Sequence, residues 1–119
     1  MDINDIKELL QAYFDAGFAS DGEGMAKVFH DGSHLYGRNE ERELIFWDKD
    51  TFVKIVDTPV PEFPRFDEIL SIDFTGDHTA VARVKVRVGD TLYTDILGLM
   101  ILDGKWGIIA KVFTGVPVS

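Results

Sequence analysis

The chain has 119 residues, 45% of them apolar, a formal net charge of −9 and no cysteine. This size and composition predict one folded domain over residues 1–119 with a sizeable core, and they exclude a disordered segment, a disulfide framework and thiolate or cysteine-zinc chemistry. The acidic balance argues against nucleic acid or an anionic membrane as partner, and no apolar run approaches the roughly 18 residues of a membrane span.

The chain starts MDINDIKELL, without the basic and apolar regions of a signal peptide, so the expected location is the cytoplasm. Ile3, Ile6, Leu9, Leu10, Tyr13, Phe14 and Phe18 recur at three- and four-residue spacing. That spacing predicts an amphipathic helix over 3–18, with Asn4 as N-cap and Gly17 near its end. Asp21 caps a second short helix through Phe29, with Met25, Val28 and Phe29 on its apolar face. Segment 31–42, DGSHLYGRNEER, reads as a turn, a short strand at 34–36 and an exposed loop. Residues 43–47 read as a further short strand. Asp48 or Asp50 starts a third helix that turns Phe52, Val53 and Val56 inward. Prolines at 59, 61 and 64 make 58–65 an extended connection.

From there the pattern is β. Residues 66–74 form a strand ended by Thr75-Gly76-Asp77. In residues 79–88, Ala80, Ala82, Val84, Val86 and Val88 alternate with Arg83, Lys85 and Arg87. The stretch YTDILGLMILDGKWGIIAKVF puts two apolar runs around Asp103-Gly104, a signal for a two-residue hairpin turn. Helices followed by three or four long antiparallel strands predict an α+β fold, with N-terminal helices on the concave face of a curved, mainly antiparallel sheet. A cavity between the two layers is expected.

The runs YFDAGFASDGEGMAKVFHDGSHL and TDILGLMILDGKWGIIAKVF resemble the putative lumazine-binding family. That family belongs to the nuclear-transport-factor-2-like superfamily, with the SnoaL-like polyketide cyclases and ketosteroid isomerase. The resemblance implies a cone-shaped α+β barrel with an internal pocket, commonly dimeric. It also allows the isomerase's catalytic pattern to be carried over by position. The oxyanion-stabilising tyrosine falls on Tyr13, sixteen residues before Phe29. The general base falls on Gly37, which has no side chain, and the protonated Asp falls near Asp95 with a spacing that differs by one residue. Steroid isomerisation by that mechanism is therefore not supported.

The pocket-lining candidates are Tyr13, His34, Tyr36, Trp47, Lys111, Phe113 and Asp95. Tyr13 is an apolar-face phenol that needs a partner, read either as a donor in the pocket or as a core tyrosine. His34 and Tyr36 share one face of their strand; the histidine either faces the cavity or sits at a wet rim. Trp47 either closes the cavity mouth or packs structurally, and Trp106 is core or interface. His30, Asp31 and His34 lack a helix to bring them together, so no metal is expected, and no cofactor either. Arg83, Lys85 and Arg87 form a solvated outer stripe, or part of a dimer surface.

With an unbroken register from the turn, Lys111 lies opposite Ile96 and Asp95 opposite Val112. The two charges then take opposite faces; the resemblance to the isomerase implies that the Lys111 face is the one toward the cavity, which leaves Asp95 toward the outer surface. A β-bulge would reverse this. Two functions follow. One is a small-molecule pocket protein, extending to a cofactor-independent isomerase, dehydratase or cyclase-like enzyme. The other is a non-catalytic dimeric interaction module whose cavity is a filled core. A homodimer through the outer sheet face is expected in either case.

Overall fold

Asp2 begins the first helix. The computed structural model describes residues 2–38, 41 and 43–118, and in it the Asp2 carboxylate accepts from the Asn4 backbone N–H at 2.8 Å. The expected cap, Asn4, is already helical, because an acidic side chain stood two positions earlier to take the orphan donor. Helix α1 (Ile3–Phe18) buries Ile6, Leu9, Leu10, Tyr13 and Phe14 on one stripe. Helix α2 (Gly22–Val28) is capped by Asp21, as the sequence predicts. It ends one residue earlier than expected, because Phe29 is already extended and starts a strand.

Strand β1 (Phe29–Arg38) is longer than the expected 34–36 segment. Its register against the neighbouring strand shifts between Phe29 and His34, with Gly32 at φ +81°. The turn chemistry read at 31–33 is therefore present, but inside a strand. Buried Ser33 holds this irregularity by donating to the Ile108 carbonyl at 2.8 Å. The loop expected after it includes residues 39, 40 and 42, which lie outside the described residues. Strand β2 (Leu44–Asp48) leads into α3 (Lys49–Val56), where Asp48, not Asp50, is the cap. Phe52 is buried; Val53 and Val56 are half-buried.

The rest is β3 (Asp67–Phe74), β4 (Thr79–Val88), β5 (Thr91–Leu102) and β6 (Lys105–Pro117). The sheet is six-stranded, in the order β2-β1-β6-β5-β4-β3, curved and unclosed. Only β1 and β6 pair in parallel; the other pairs are antiparallel. The two strands expected before α3, now β1 and β2, thus extend the meander of the four later ones. Helices pack over β1, β2, β4 and β6. Leu35, Ala82, Val84, Leu97 and Ile108, each 0% exposed, fill the space beneath them. Each such Leu, Ile or Val contributes roughly 1.5–3 kcal/mol by leaving water.

The β5–β6 hairpin decides where the charges go. Asp103 and Gly104 both have positive φ, 53° and 75°, as a two-residue type I′ turn requires, and Leu102 pairs with Lys105 as predicted. The register then breaks: Leu99 pairs with Ile108, but Gly98 pairs with Ala110. Ile109 is the extra residue of a β-bulge. Beyond it Leu97 faces Lys111 and Asp95 faces Phe113, correcting the unbroken register and its assignment of Asp95 to the outer surface. A conflict of parity explains the bulge. On β6, Ile108 is buried before it, and Lys111, Phe113 and Gly115 are buried after it. No strand of strict period two puts both sets on one face. One inserted residue does, and the small Gly98 and Ala110 leave room for it.

A buried Tyr13–Asp95–Lys111 cluster beside an aromatic cavity

Three polar side chains meet under the helices. Tyr13 comes from α1, Asp95 from β5 and Lys111 from β6, and they are 4%, 0% and 7% exposed. The Tyr13 hydroxyl donates to Asp95 Oδ2 at 2.6 Å, a charge-assisted bond. Lys111 Nζ lies 3.8 Å from the same oxygen, too far for a hydrogen bond. Its other neighbours are ring faces: Phe52 at 4.6 Å, Phe113 at 5.0 Å and Tyr13 at 5.3 Å from the centroids. Asp95 Oδ1 is buried and has no hydrogen-bond partner among the described residues.

Magnitudes rank the forces on Lys111. The attraction of Asp95 at this separation is on the order of 4 kcal/mol at an effective dielectric constant of 20, and each cation–π contact adds about 0.5–2 kcal/mol. Removing an ammonium from water costs several kcal/mol. Desolvation wins: burial holds the Lys111 amine below its usual basicity, and the Asp95 carboxylate only partly restores it. Tyr13 moves the other way. Burial first, then the adjacent Asp95 carboxylate, push its hydroxyl well above the ordinary phenol range, so it stays protonated. Its hydrogen is committed to Asp95. Toward the cavity the phenol presents lone pairs, and the group with hydrogens to offer a ligand is Lys111. The expectation of Tyr13 as the donor is corrected accordingly.

A cavity of about 320 Å³ opens beside this cluster. Tyr13, Phe14, Met25, Phe52, Lys111 and Phe113 are its buried walls. Phe18, Ile55, Val60 and Phe66, each about two-fifths exposed, form its apolar rim. Trp47, read either at the mouth or as a packing residue, is a wall: its ring stacks within 21° of those of Phe52 and Phe113. Asp95 is not itself a wall; it stands behind Tyr13 and Lys111. At the rim Arg65 bonds Asp15 at 2.6 Å and Asp67 at 2.8 Å, and lies over the Phe18 ring, tying the proline-rich connection to α1.

His34 and Tyr36 are corrected by the same register. They lie on the outer face of the sheet, exposed, packed against Phe46. Leu35 between them is 0% exposed and points inward. An apolar residue between two polar ones was the signal for this. His30 bonds the Met100 carbonyl at 2.9 Å and Asp31 pairs with Lys49, so the two do not join His34 in a cluster. Gly37 does face inward, where the base was looked for. A Cβ there would lie 2.5 Å from the Phe113 ring, so the aromatic ring takes the space. Sequence reasoning overlooked Tyr93, whose ring meets Phe113 edge-on at 5.9 Å, and the Arg65 clamp. Alternation along β5 already put Tyr93 on the Asp95 face.

Comparison with known proteins agrees with this architecture. A model of the putative lumazine-binding family matches residues 1–114. Aldolase FrzH from a Cladobotryum species is 42% identical over 59 residues, which is 48% of this chain and 47% of that protein; the match spans about half that relative's length. An NTF2-like protein of unknown function from Methylobacillus flagellatus KT is 30% identical, covers 97% of this chain and 92% of its own, and superposes with a TM-score of 0.84. Another from Silicibacter pomeroyi DSS-3 reaches a TM-score of 0.86 at 22% identity, over 96% of this chain and 95% of that one, and shows the shared fold.

Proposed function

The chain belongs to the putative lumazine-binding family, and from that premise we propose that it binds a flat, largely apolar small molecule whose carbonyl or carboxylate oxygen meets Lys111. The observation that carries this reading is the Lys111 amine, held among three rings at the wall of the cavity without a hydrogen bond to any described residue. Apolar walls favour a flat ring system, and a few placed polar groups orient it. The family's name, pointing to a fused heteroaromatic with ring carbonyls, and the carbonyl chemistry named for the Cladobotryum relative, an aldolase, support the same ligand class. The cluster also suits cofactor-independent isomerisation, dehydration or cyclisation. A donor in a dry pocket stabilises an enolate-like oxygen, and a phenol oxygen backed by a carboxylate accepts a hydrogen bond beside it.

Trp47 reports on occupancy because it lines the cavity and Trp106 does not. Aromatic carboxylates and ketones are expected to quench tryptophan fluorescence and to raise the melting temperature, since a ligand specific for the folded state stabilises it. Lys111→Met is expected to weaken a carboxylate such as 2-naphthoate by roughly 10- to 100-fold, the loss of one charge-assisted bond. Quenching that survives in Trp47→Phe, or no melting shift with any of these compounds, refutes the reading.

We further infer a homodimer through the outer sheet face. Phe46, Tyr36, Val112 and Ile96 pair side by side across β2, β1, β6 and β5, and are 49%, 50%, 53% and 46% exposed. A contiguous apolar row of this kind is a usual mark of an interface, and a second copy covers it symmetrically. Light scattering is expected to give twice the chain mass, and Val112→Glu with Ile96→Glu to give a monomer. A monomeric wild type at high concentration overturns this.

A further inference from the structure

Resting on the reading of the cavity as a ligand site, we propose that Lys111 is a covalent carbonyl-capturing residue, whose amine condenses with an aldehyde or ketone group on a flat apolar ligand to form an imine. Four observations converge on it. Lys111 is the one buried lysine among the described residues; Lys7, Lys27, Lys54 and Lys105 are exposed, and Lys49 and Lys85 half-buried. Lys49 and Lys105 are moreover engaged with backbone carbonyls. Nζ itself makes no hydrogen bond to any of the described residues, so no donor–acceptor pair among them has to break before its lone pair is used. Burial disfavours the ammonium, and the rings of Phe52, Phe113 and Tyr13 around it keep bulk water, which hydrolyses imines, away from the carbon–nitrogen bond. Lastly, the Asp95 carboxylate stands beside the amine with one oxygen bonded to Tyr13 and the other unpartnered. Its negative charge, 3.8 Å from the nitrogen, stabilises the positive charge that develops there as the imine forms.

The step balances without a further reactant. The Lys111 ammonium first gives up one proton to solvent. The nitrogen lone pair then forms a bond to the carbonyl carbon, and the carbon–oxygen π pair moves to oxygen. The two remaining N–H hydrogens leave with that oxygen as water as the carbon–nitrogen double bond forms. Nothing is oxidised or reduced. Burial supports the step further, because an amine held below its usual basicity is nucleophilic at lower pH.

The test uses the full chain with 2-naphthaldehyde and borohydride, which reduces an imine to a stable secondary amine, followed by peptide mass spectrometry. Label concentrated on Lys111 is expected, forming at lower pH than label on the other lysines, suppressed by 2-naphthoate and lost in Lys111→Met. Peptide mapping on the wild type assigns the site even where that variant folds poorly. If naphthaldehyde quenches Trp47 but Lys111 is labelled no faster than the surface lysines, the imine is refuted and the ligand pocket stands. If neither quenching nor label at Lys111 is seen, both fail.

Discussion

Asp95→Ala is expected to destabilise the folded chain by about 3 kcal/mol, lowering the melting temperature by on the order of 10 °C. The substitution leaves Lys111 buried with no carboxylate and the Tyr13 hydroxyl with no acceptor. An uncompensated charge accounts for most of the loss, and deprotonation of Lys111 limits it. Lys111→Met is expected to cost a similar amount, because the Asp95 carboxylate then remains buried on a single hydrogen bond. Removing both charges removes the imbalance and leaves only the Tyr13 hydroxyl without its acceptor, so the double variant should lose about 1–2 kcal/mol, not about 6. Denaturant melts of the four proteins measure this directly. Additive losses would show that the two charges do not act as a pair.

The same cluster sets a pH dependence whose sign follows from its proton count. Lys111 is less basic when folded than its ordinary value of 10.5, so between its folded titration and 10.5 the unfolded chain binds more protons than the folded one. Stability therefore rises with pH there. Tyr13 is less acidic when folded than its ordinary 10.0, so above about 10 the folded chain is the one that retains a proton, and stability falls. A maximum on the alkaline side is expected. In Lys111→Met the rise should vanish while the fall persists.

Gly37→Ala is expected to cost about 2 kcal/mol, the ordinary scale of overpacking. Its Cβ meets the Phe113 ring at 2.5 Å, and that ring is held between Trp47 and Tyr93. The ring can yield only toward the cavity, so ligand binding should weaken together with stability. In a Phe113→Ala background the obstacle is gone, and Gly37→Ala should become neutral or stabilising by about 0.4–1 kcal/mol, through the lower entropy of the unfolded chain. An equal cost in both backgrounds would show that Phe113 is not what forbids a side chain at position 37.

Much of the frame was legible because it depends on local periodicity. The stripe from Ile6 to Phe14 specifies α1 without reference to any partner, since residues three and four apart share a helix face. The alternation from Ala80 to Val84 specifies the inward face of β4, and Asp103-Gly104 specifies the turn because both positions need positive φ. The family resemblance reached the same cone-like architecture by another route. Strand β1 was less legible, because its turn residues at 31–33 read as an ending and proved to be an irregularity within a strand that β6 holds open through Ser33.

The site was legible residue by residue but not as an arrangement. Tyr13, Trp47, Lys111 and Phe113 could be named from their types and places in apolar runs, and His34 and Tyr36 could be placed on one shared face. Which face they took was a matter of pairing. Amino-acid sequence by itself determined the helices, the strands, the tight turn and an excess of apolar surface on one side of each. Tertiary structure alone decided that Ile109 bulges, because only packing of Ile108 and Phe113 against the same helices penalises the straight strand. That single inserted residue turns Lys111 onto the face of Asp95 and brings both beneath Tyr13 at the wall of the cavity.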